Sequence, residues 1–218
     1  MKQAVTIYLC DDEEDVRGGL SFLLRQLDFE VRAFEGGREM LAAIQAQAKP
    51  LRAIFVLDLH NPPMDGDAIH DELIAQGFSR RNPVIFLSGH GTIPRAVAAM
   101  GKGALGFIEK PHTNEALVPL LQKAVELEAE WNLQANRVDN LESLWQSLSG
   151  QQKKVALLVA DGDPNKVIAD KLGIVERTVE VHRSKVFEKL GVDTAATHAT
   201  SIASMKANGI VKPDDGSI

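Results

Sequence analysis

Residues 54–66 read IFVLDLHNPPMDG. Four apolar residues, Ile54, Phe55, Val56 and Leu57, lead straight into Asp58, and the chain then breaks up at His60-Asn61-Pro62-Pro63. Aspartate is a poor strand residue and is costly to bury unpaired. A core strand that ends this way either caps a turn with its carboxylate or aims it at a ligand. What the neighbouring strands end on decides between the two.

Similar apolar runs recur at Val5–Leu9, Val31–Phe34, Val84–Leu87 and Gly106–Ile108. Helix-patterned stretches lie between them, at Glu14–Leu27, Gly37–Ala48, Asp67–Gln76 and Pro94–Lys102, with a further helix after Pro111. Strands alternating with helices predict βαβ units and a five-stranded, doubly wound parallel sheet, an α/β fold. The runs are continuously apolar rather than alternating, as expected of strands covered on both faces. In such folds ligands sit outside the carboxyl ends of the strands. There the chain places Asp11-Asp12, Asp58, Ser88-Gly89 and Lys110-Pro111. Any one of these alone reads as a loop or cap residue. Their coincidence at every central strand end points to a site.

From Leu117 the pattern is helical. Steps of three and four residues give Leu117, Leu120, Ala124, Leu127, Trp131, Gln134, Val138, Leu141, Trp145 and Leu148, a heptad seam with one polar member. This predicts a long linker helix, residues 125–148, able to pair with a second copy as a coiled coil. Glu126, Glu128, Glu130, Arg137, Asp139 and Glu142 would face solvent.

Ser149 has the position of an N-cap. Helices are then expected at 151–160, 165–172, 176–190 and 194–207, with the tight turn at Gly173 marking a helix-turn-helix. The domains expected are residues 1–124, the linker 125–148, an all-α helix-turn-helix domain at 149–210, and a flexible tail at 211–218.

Charge follows the same division. Residues 1–124 carry 13 basic and 16 acidic residues, 125–148 carry 1 and 5, and 149–218 carry 10 and 9. The last region is the least acidic, so any nucleic-acid contact is expected there. The hydrophobic content of 44% and charged content of 25% fit a globular protein, and no apolar run is long enough to span a membrane. The N-terminus lacks the apolar core of a secretion signal. The one cysteine, Cys10, cannot form an internal disulfide and is expected as core filler in a reducing cytoplasm.

Three carboxylates at one spot need a cation. Asp11, Asp12 and Asp58 offer the oxygen ligands that suit Mg²⁺. An aspartate beside Mg²⁺ is a competent nucleophile toward phosphorus. Lys110 and Ser88 would contact phosphoryl oxygens.

The segments LCDDEEDV (9–16), FVLDLHNPPMDG (55–66), LSGHG (87–91) and GFIEKP (106–111) closely resemble the receiver domain of two-component response regulators over about residues 3–124. The resemblance implies that Asp58 accepts a phosphoryl group from a sensor histidine kinase. It also implies that Asp11, Asp12, Asp58 and the His60 backbone carbonyl hold Mg²⁺, and that Lys110 binds phosphate. Ser88 and Phe107 would be the switch pair, and a cis Lys110–Pro111 bond would be expected. His60 and His90 stand where their rings would border the same pocket.

The stretch NKVIADKLGIVERTVEVHRSKVFEKLGV (165–192) resembles the LuxR-type helix-turn-helix of the NarL/FixJ class, and the whole order resembles FixJ- and StyR-like regulators. Ile174, Val175, Val179, Val186 and Leu190 would join the helices. The resemblance puts the second helix in the major groove, with Val181 and Ser184 toward the base edges, Glu180 accepting from a cytosine amine, and Thr178 on the same DNA-binding face. Lys166, Arg177, Arg183, Lys185 and Lys189 are the expected phosphate contacts, and His182 would be packed within the domain. The implied function is a transcriptional regulator that is not an enzyme, switched by phosphorylation and binding promoter duplex DNA as a homodimer. The dimer would form through the linker, the receiver or the last helix (194–207), with RNA polymerase a further expected partner. A receiver-controlled RNA-binding or protein-docking output is the alternative. A phosphohydrolase with an aspartyl-phosphate intermediate would need a carboxylate two residues after Asp58, where His60 stands.

Overall fold

The structure is a computed structural model, and it describes residues 5–47, 51–89, 93–111 and 114–216. The chain divides into two compact units, 1–133 and 134–218. The boundary falls inside the segment expected as a free linker.

In the first unit the strands are β1 (Thr6–Cys10), β2 (Glu30–Phe34), β3 (Ala53–Asp58), β4 (Val84–Ser88) and β5 (Gly106–Glu109). All pair in parallel in the order β2-β1-β3-β4-β5. Helices α1 (Glu14–Gln26), α2 (Gly37–Gln45), α3 (Gly66–Ala75), α4 (Ile93–Gly101) and the start of α5 (Asn114–Gln146) complete it. Alternate residues of each strand enter opposite cores. Tyr8, Phe55, Leu57 and Phe86 meet Met40 and Ile44 of α2 and Ile69 and Leu73 of α3. Ile7, Leu9, Ile54, Val56, Ile85 and Leu87 meet Leu20 and Leu24 of α1 and Leu117, Leu121 and Ala124 of α5. Every residue of β3 is buried, which explains its unbroken apolarity.

The glycine closing the opening stretch is there for space. A Cβ on Gly66 would lie 2.3 Å from the Asp58 carbonyl oxygen, so only glycine lets α3 start this close to the end of β3.

The first unit binds its part of α5 by polar contacts that sequence patterning did not reveal. Glu128 was expected at the surface, yet its side chain is fully buried. It accepts from Arg52 Nε at 2.8 Å and from Nη2 at 2.6 Å. Asn132 donates to the Glu128 carboxylate and to the Arg81 carbonyl.

The second unit contains the end of α5 with α6 (Gly150–Ala160), α7 (Asn165–Leu172), α8 (Glu176–Leu190) and α9 (Ala195–Ala207). Ser149 caps α6, as the sequence predicted, and does so in a reciprocal box with Gln152; Thr194 does the same for α9 with Thr197. Gly173 ends α7 in the left-handed region at φ 63°, which makes the tight turn into α8.

One expectation, that for Val175, needs correction, and two other segments gain detail. The heptad seam is largely consumed inside each unit. Leu117 and Ala124 are in the first core, while Trp145 and Leu148 are buried in the second with Val138 and Leu141 packed on them. The two ends of the seam thus serve two intramolecular cores, while Leu127 and Trp131 between them are half-buried. Val175 was expected to hold the helices together, yet it is 68% exposed, because as the residue before α8 it points away from the core that Ile174 and Val179 enter. Within the segment expected as a tail, residues 211–218, the structure describes contacts. A 3₁₀ turn at Pro213–Gly216 lets Asp215 accept from the Trp145 indole N–H at 3.0 Å and from the Lys212 amide at 2.9 Å.

Candidate functional site

The strand ends of the first unit bring the expected residues together. Asp58, the last residue of β3, is buried, and its Oδ2 accepts from Lys110 Nζ at 2.9 Å. The Lys110 ammonium also lies 2.8 Å from Asp11 Oδ2 and 3.1 Å from Glu13 Oε1. Lys110 follows β5, and its amide donates to the Ser88 carbonyl at the end of β4, so adjacent parallel strands fix it opposite Asp58. The His60 amide donates to Asp58 Oδ1 at 3.2 Å, which orients the carboxylate. Ser88 is buried beside this group, and Phe107 of β5 is half-buried against the α2–α3 core. The Lys110–Pro111 peptide is cis, as the resemblance implied; Pro62–Pro63 is also cis, which no feature of the sequence announced.

Asp11, Asp12 and Asp58 present carboxylate oxygens that all lie within 4.8 Å of one another, with Asp12 the most open to solvent. Burial raises the pKa of Asp11, as does the neighbouring Asp58 charge, and Lys110 only partly opposes them. Burial alone would lower the pKa of Lys110, but its bonds to Asp11 and Asp58 outweigh that and hold it above the ordinary lysine value. Asp11 Oδ2 is buried, and the Lys110 ammonium at 2.8 Å is its one partner among the described residues. Four carboxylates gathered against one ammonium fit a hard divalent cation.

Three supporting residues escaped sequence reasoning. Arg17 of α1 donates from Nη1 to the carbonyls of Asp11 at 2.8 Å and Asp12 at 3.1 Å, bracing the loop that carries both acids. Glu13 joins the Lys110 cluster; its place in the run DDEE was the one available hint. Arg95 of α4 donates from Nη2 to the Leu59 carbonyl, Asp65 and Asp67. The His60 ring is exposed, with Nδ1 3.4 Å from Asp65 Oδ1. His90 lies outside the described residues.

On the second unit, α8 exposes Arg177, Glu180, Val181, Ser184 and Lys185, and Thr178 is half-buried. Lys166 on α7 is also exposed. Two expected phosphate contacts are otherwise engaged. Arg183 donates to Asn165 Oδ1 at 3.2 Å and lies over the Phe187 ring. Lys189 donates to the Ser147 carbonyl at 2.6 Å and to Gln152 Oε1 at 3.0 Å, securing the start of α6. Arg177 and Glu180 form an exposed pair at 2.9 Å. His182 is half-buried, and its Nδ1 makes no hydrogen bond among the described residues.

Known proteins share this arrangement. The family described as response regulator receiver domain matches residues 7–122, and that described as bacterial regulatory proteins, luxR family, matches 146–203. The tetrathionate response regulatory protein TtrR of Salmonella typhimurium is 35% identical over 88% of this chain and 88% of its own. The response regulator protein TodT of Pseudomonas putida is 34% identical over 88% of this chain and 82% of its own. The structure of the response regulator StyR superposes with a TM-score of 0.81 at 34% identity, covering 93% of this chain and all of the other. Full-length FixJ from B. japonicum gives 0.55 at 27% identity, over 95% and 98%. The chain therefore belongs to the two-component response regulators of the NarL/FixJ family, transcriptional regulators with a receiver domain and a LuxR-type DNA-binding domain.

Proposed function

We propose that Asp58 is the phospho-acceptor of this regulator and that its phosphorylation by a sensor histidine kinase controls binding of a homodimer to promoter DNA. The observation that carries this is the strand-end carboxylate of Asp58 held 2.9 Å from Lys110 Nζ beside Asp11 and Asp12. In the transfer, an Asp58 carboxylate oxygen forms the new O–P bond as the donor's N–P bond breaks, and the bonding pair returns to the donor imidazole. A Mg²⁺ ion held by Asp11, Asp12, Asp58 and the His60 carbonyl would supply charge neutralisation for the carboxylate and the incoming phosphoryl group. Lys110 binds a phosphoryl oxygen and leaves its carboxylate partners to do so. Ser88 donates its hydroxyl to another, and Phe107 turns further inward as Ser88 moves.

The output is contact of α8 with the major groove, Thr178, Glu180, Val181 and Ser184 reading base edges and Lys166, Arg177 and Lys185 contacting backbone. Arg183 and Lys189 join them only by giving up Asn165 and Ser147. Dimerisation offsets the near-neutral charge of this domain. Exposed Val97 and Met100 on α4, and a cavity of about 530 Å³ bordered by Phe107, Pro119 and Leu120, support the receiver as one contributor. The last helix is a second. RNA polymerase is the downstream partner we propose, and the cytoplasm the compartment.

The test is labelling with acetyl phosphate in Mg²⁺. Wild type should label, and Asp58→Asn or chelation of Mg²⁺ should abolish labelling; a labelled Asp58→Asn protein overturns the assignment. A gel shift should show duplex DNA bound in preference to structured RNA, and the reverse preference would favour the RNA-binding alternative.

A further inference from the structure

Asp12, Glu13, Asp58, His60, Gly89 and Arg95 border one cavity of about 430 Å³. Lys110 approaches the carboxylates of this site from β5, and Arg95 brings a second cation from the first turn of α4. Arg95 is now committed elsewhere. Its Nη2 donates to the Leu59 carbonyl at 3.1 Å, to Asp65 Oδ2 at 3.1 Å and to Asp67 Oδ2 at 2.9 Å. Leu59 directly follows Asp58, and Asp65 and Asp67 flank the start of α3. One guanidinium thus ties α4 to the loop that leaves the phospho-acceptor.

All three bonds issue from Nη2, so they do not use the other edge of the fork. The Arg95 side chain is 34% exposed and those of Asp65 and Asp67 are 35% and 44% exposed, so its ion pairs are partly screened and exchangeable. A phosphoryl dianion on Asp58 would present more charge than either carboxylate, with pairs of oxygens that the guanidinium fork can bind in a bidentate manner.

We infer that Arg95 is a phosphoryl-binding latch: it holds α4 to the loop after β3 while Asp58 is free, and exchanges Asp65 and Asp67 for the phosphoryl group once Asp58 carries one. The exchange makes and breaks only hydrogen bonds and ion pairs. Its consequence is that α4, which presents exposed Val97 and Met100, is freed from the start of α3 when the site fills. This rests on Asp58 being the phospho-acceptor, and it adds to that role a competition between Asp67 and the phosphoryl group for one side chain.

The experiment is a titration of the full chain with beryllofluoride in Mg²⁺, read by ¹⁹F NMR, on wild type, Arg95→Gln, Arg95→Lys, Asp67→Asn and the Arg95→Gln/Asp67→Asn double variant. Arg95→Gln should weaken binding by about tenfold, and Arg95→Lys should recover part of it. Asp67→Asn, by removing a competitor, should tighten binding several-fold in the wild-type background and have no effect beside Arg95→Gln. A far-UV spectrum and melting temperature equal to wild type keep misfolding apart from lost binding. Hydrogen exchange of the α4 amides should rise on beryllofluoride addition in wild type and be raised already in Arg95→Gln. Equal affinity in wild type and Arg95→Gln, an equal Asp67→Asn effect in both backgrounds, or α4 exchange unchanged by beryllofluoride would overturn the latch. Failure of wild type to bind beryllofluoride would instead overturn the role of Asp58 itself.

Discussion

Arg52 and Glu128, 76 residues apart, meet through two bonds of 2.8 and 2.6 Å, and the Glu128 side chain is wholly buried while that of Arg52 is 25% exposed. Removing one partner of a buried pair leaves a charge with nothing to offset its lost hydration. Arg52→Ala should therefore destabilise the receiver by about 3–5 kcal/mol. Urea denaturation followed by circular dichroism checks this, and a change below about 1 kcal/mol, the range of surface pairs, would show the pair to be a surface one in solution.

Lys110 Nζ lies 2.9 Å from the carboxylate of Asp58, the proposed acceptor. Lys110→Ala should slow labelling by acetyl phosphate by about 100-fold or more, the scale of removing one preorganised charge stabiliser. Initial rates at saturating donor measure it, and a loss confined to apparent affinity would assign Lys110 to donor binding alone.

Burial, with the negative charge of Asp11 and Asp58 added, pushes the Cys10 thiol up to about 12. The thiolate is the reactive species. Cys10 should resist alkylation by iodoacetamide in the native protein at mildly alkaline pH and react once the protein is unfolded in urea. Mass spectrometry of the tryptic peptide reads the difference.

His70 is buried against the Phe86 ring, and neither ring nitrogen has a hydrogen-bond partner among the described residues. Burial lowers its pKa; the Asp71 charge opposes this and that of Lys102 adds to it. With the folded value below the unfolded one, the unfolded state binds more protons as pH falls. The stability associated with neutral His70 is thus present above the ordinary histidine pKa and declines as pH drops below about 6.5. His70→Leu should flatten the loss of melting temperature between about pH 7 and pH 5, and a variant as steep as wild type would contradict it.

The Trp145 indole donates to Asp215, and Lys153 lies 5.3 Å from the same ring. Asp215→Ala removes the acceptor and leaves a buried N–H, so the DNA-binding domain should lose about 1–3 kcal/mol. Tryptophan fluorescence during thermal unfolding follows it, with Asp214→Ala as a control expected to behave as wild type.

Most of the fold and the centre of the site were legible in the residues. The continuous apolarity of Ile54–Leu57, and the recurrence of carboxylate, hydroxyl and ammonium groups at successive strand ends, identified a parallel sheet with Asp58, Asp11, Asp12, Ser88 and Lys110 on one rim. Glycine at 173 and serine at 149 marked where helices turn and begin. These signals are local: strand burial, helix capping and left-handed turns each depend on a few consecutive residues.

The long helix shows the limit of that legibility. Its apolar period read as one seam awaiting a partner, whereas Leu117 and Ala124 serve the receiver core and Trp145 and Leu148 serve the other. Periodicity reports that a face is buried and not against what. By itself the sequence determined where strands end, where helices start and which chemistry collects at the rim, since backbone geometry carries those consequences from residue to residue. Only tertiary structure decided that Glu128 is inside, that Lys189 holds the start of α6, that Asp215 covers Trp145 and that Arg95 reaches across to Asp65 and Asp67. Each is a polar side chain whose partner is 28 to 76 residues away, and charge alone does not say which partner folding will bring within 3 Å.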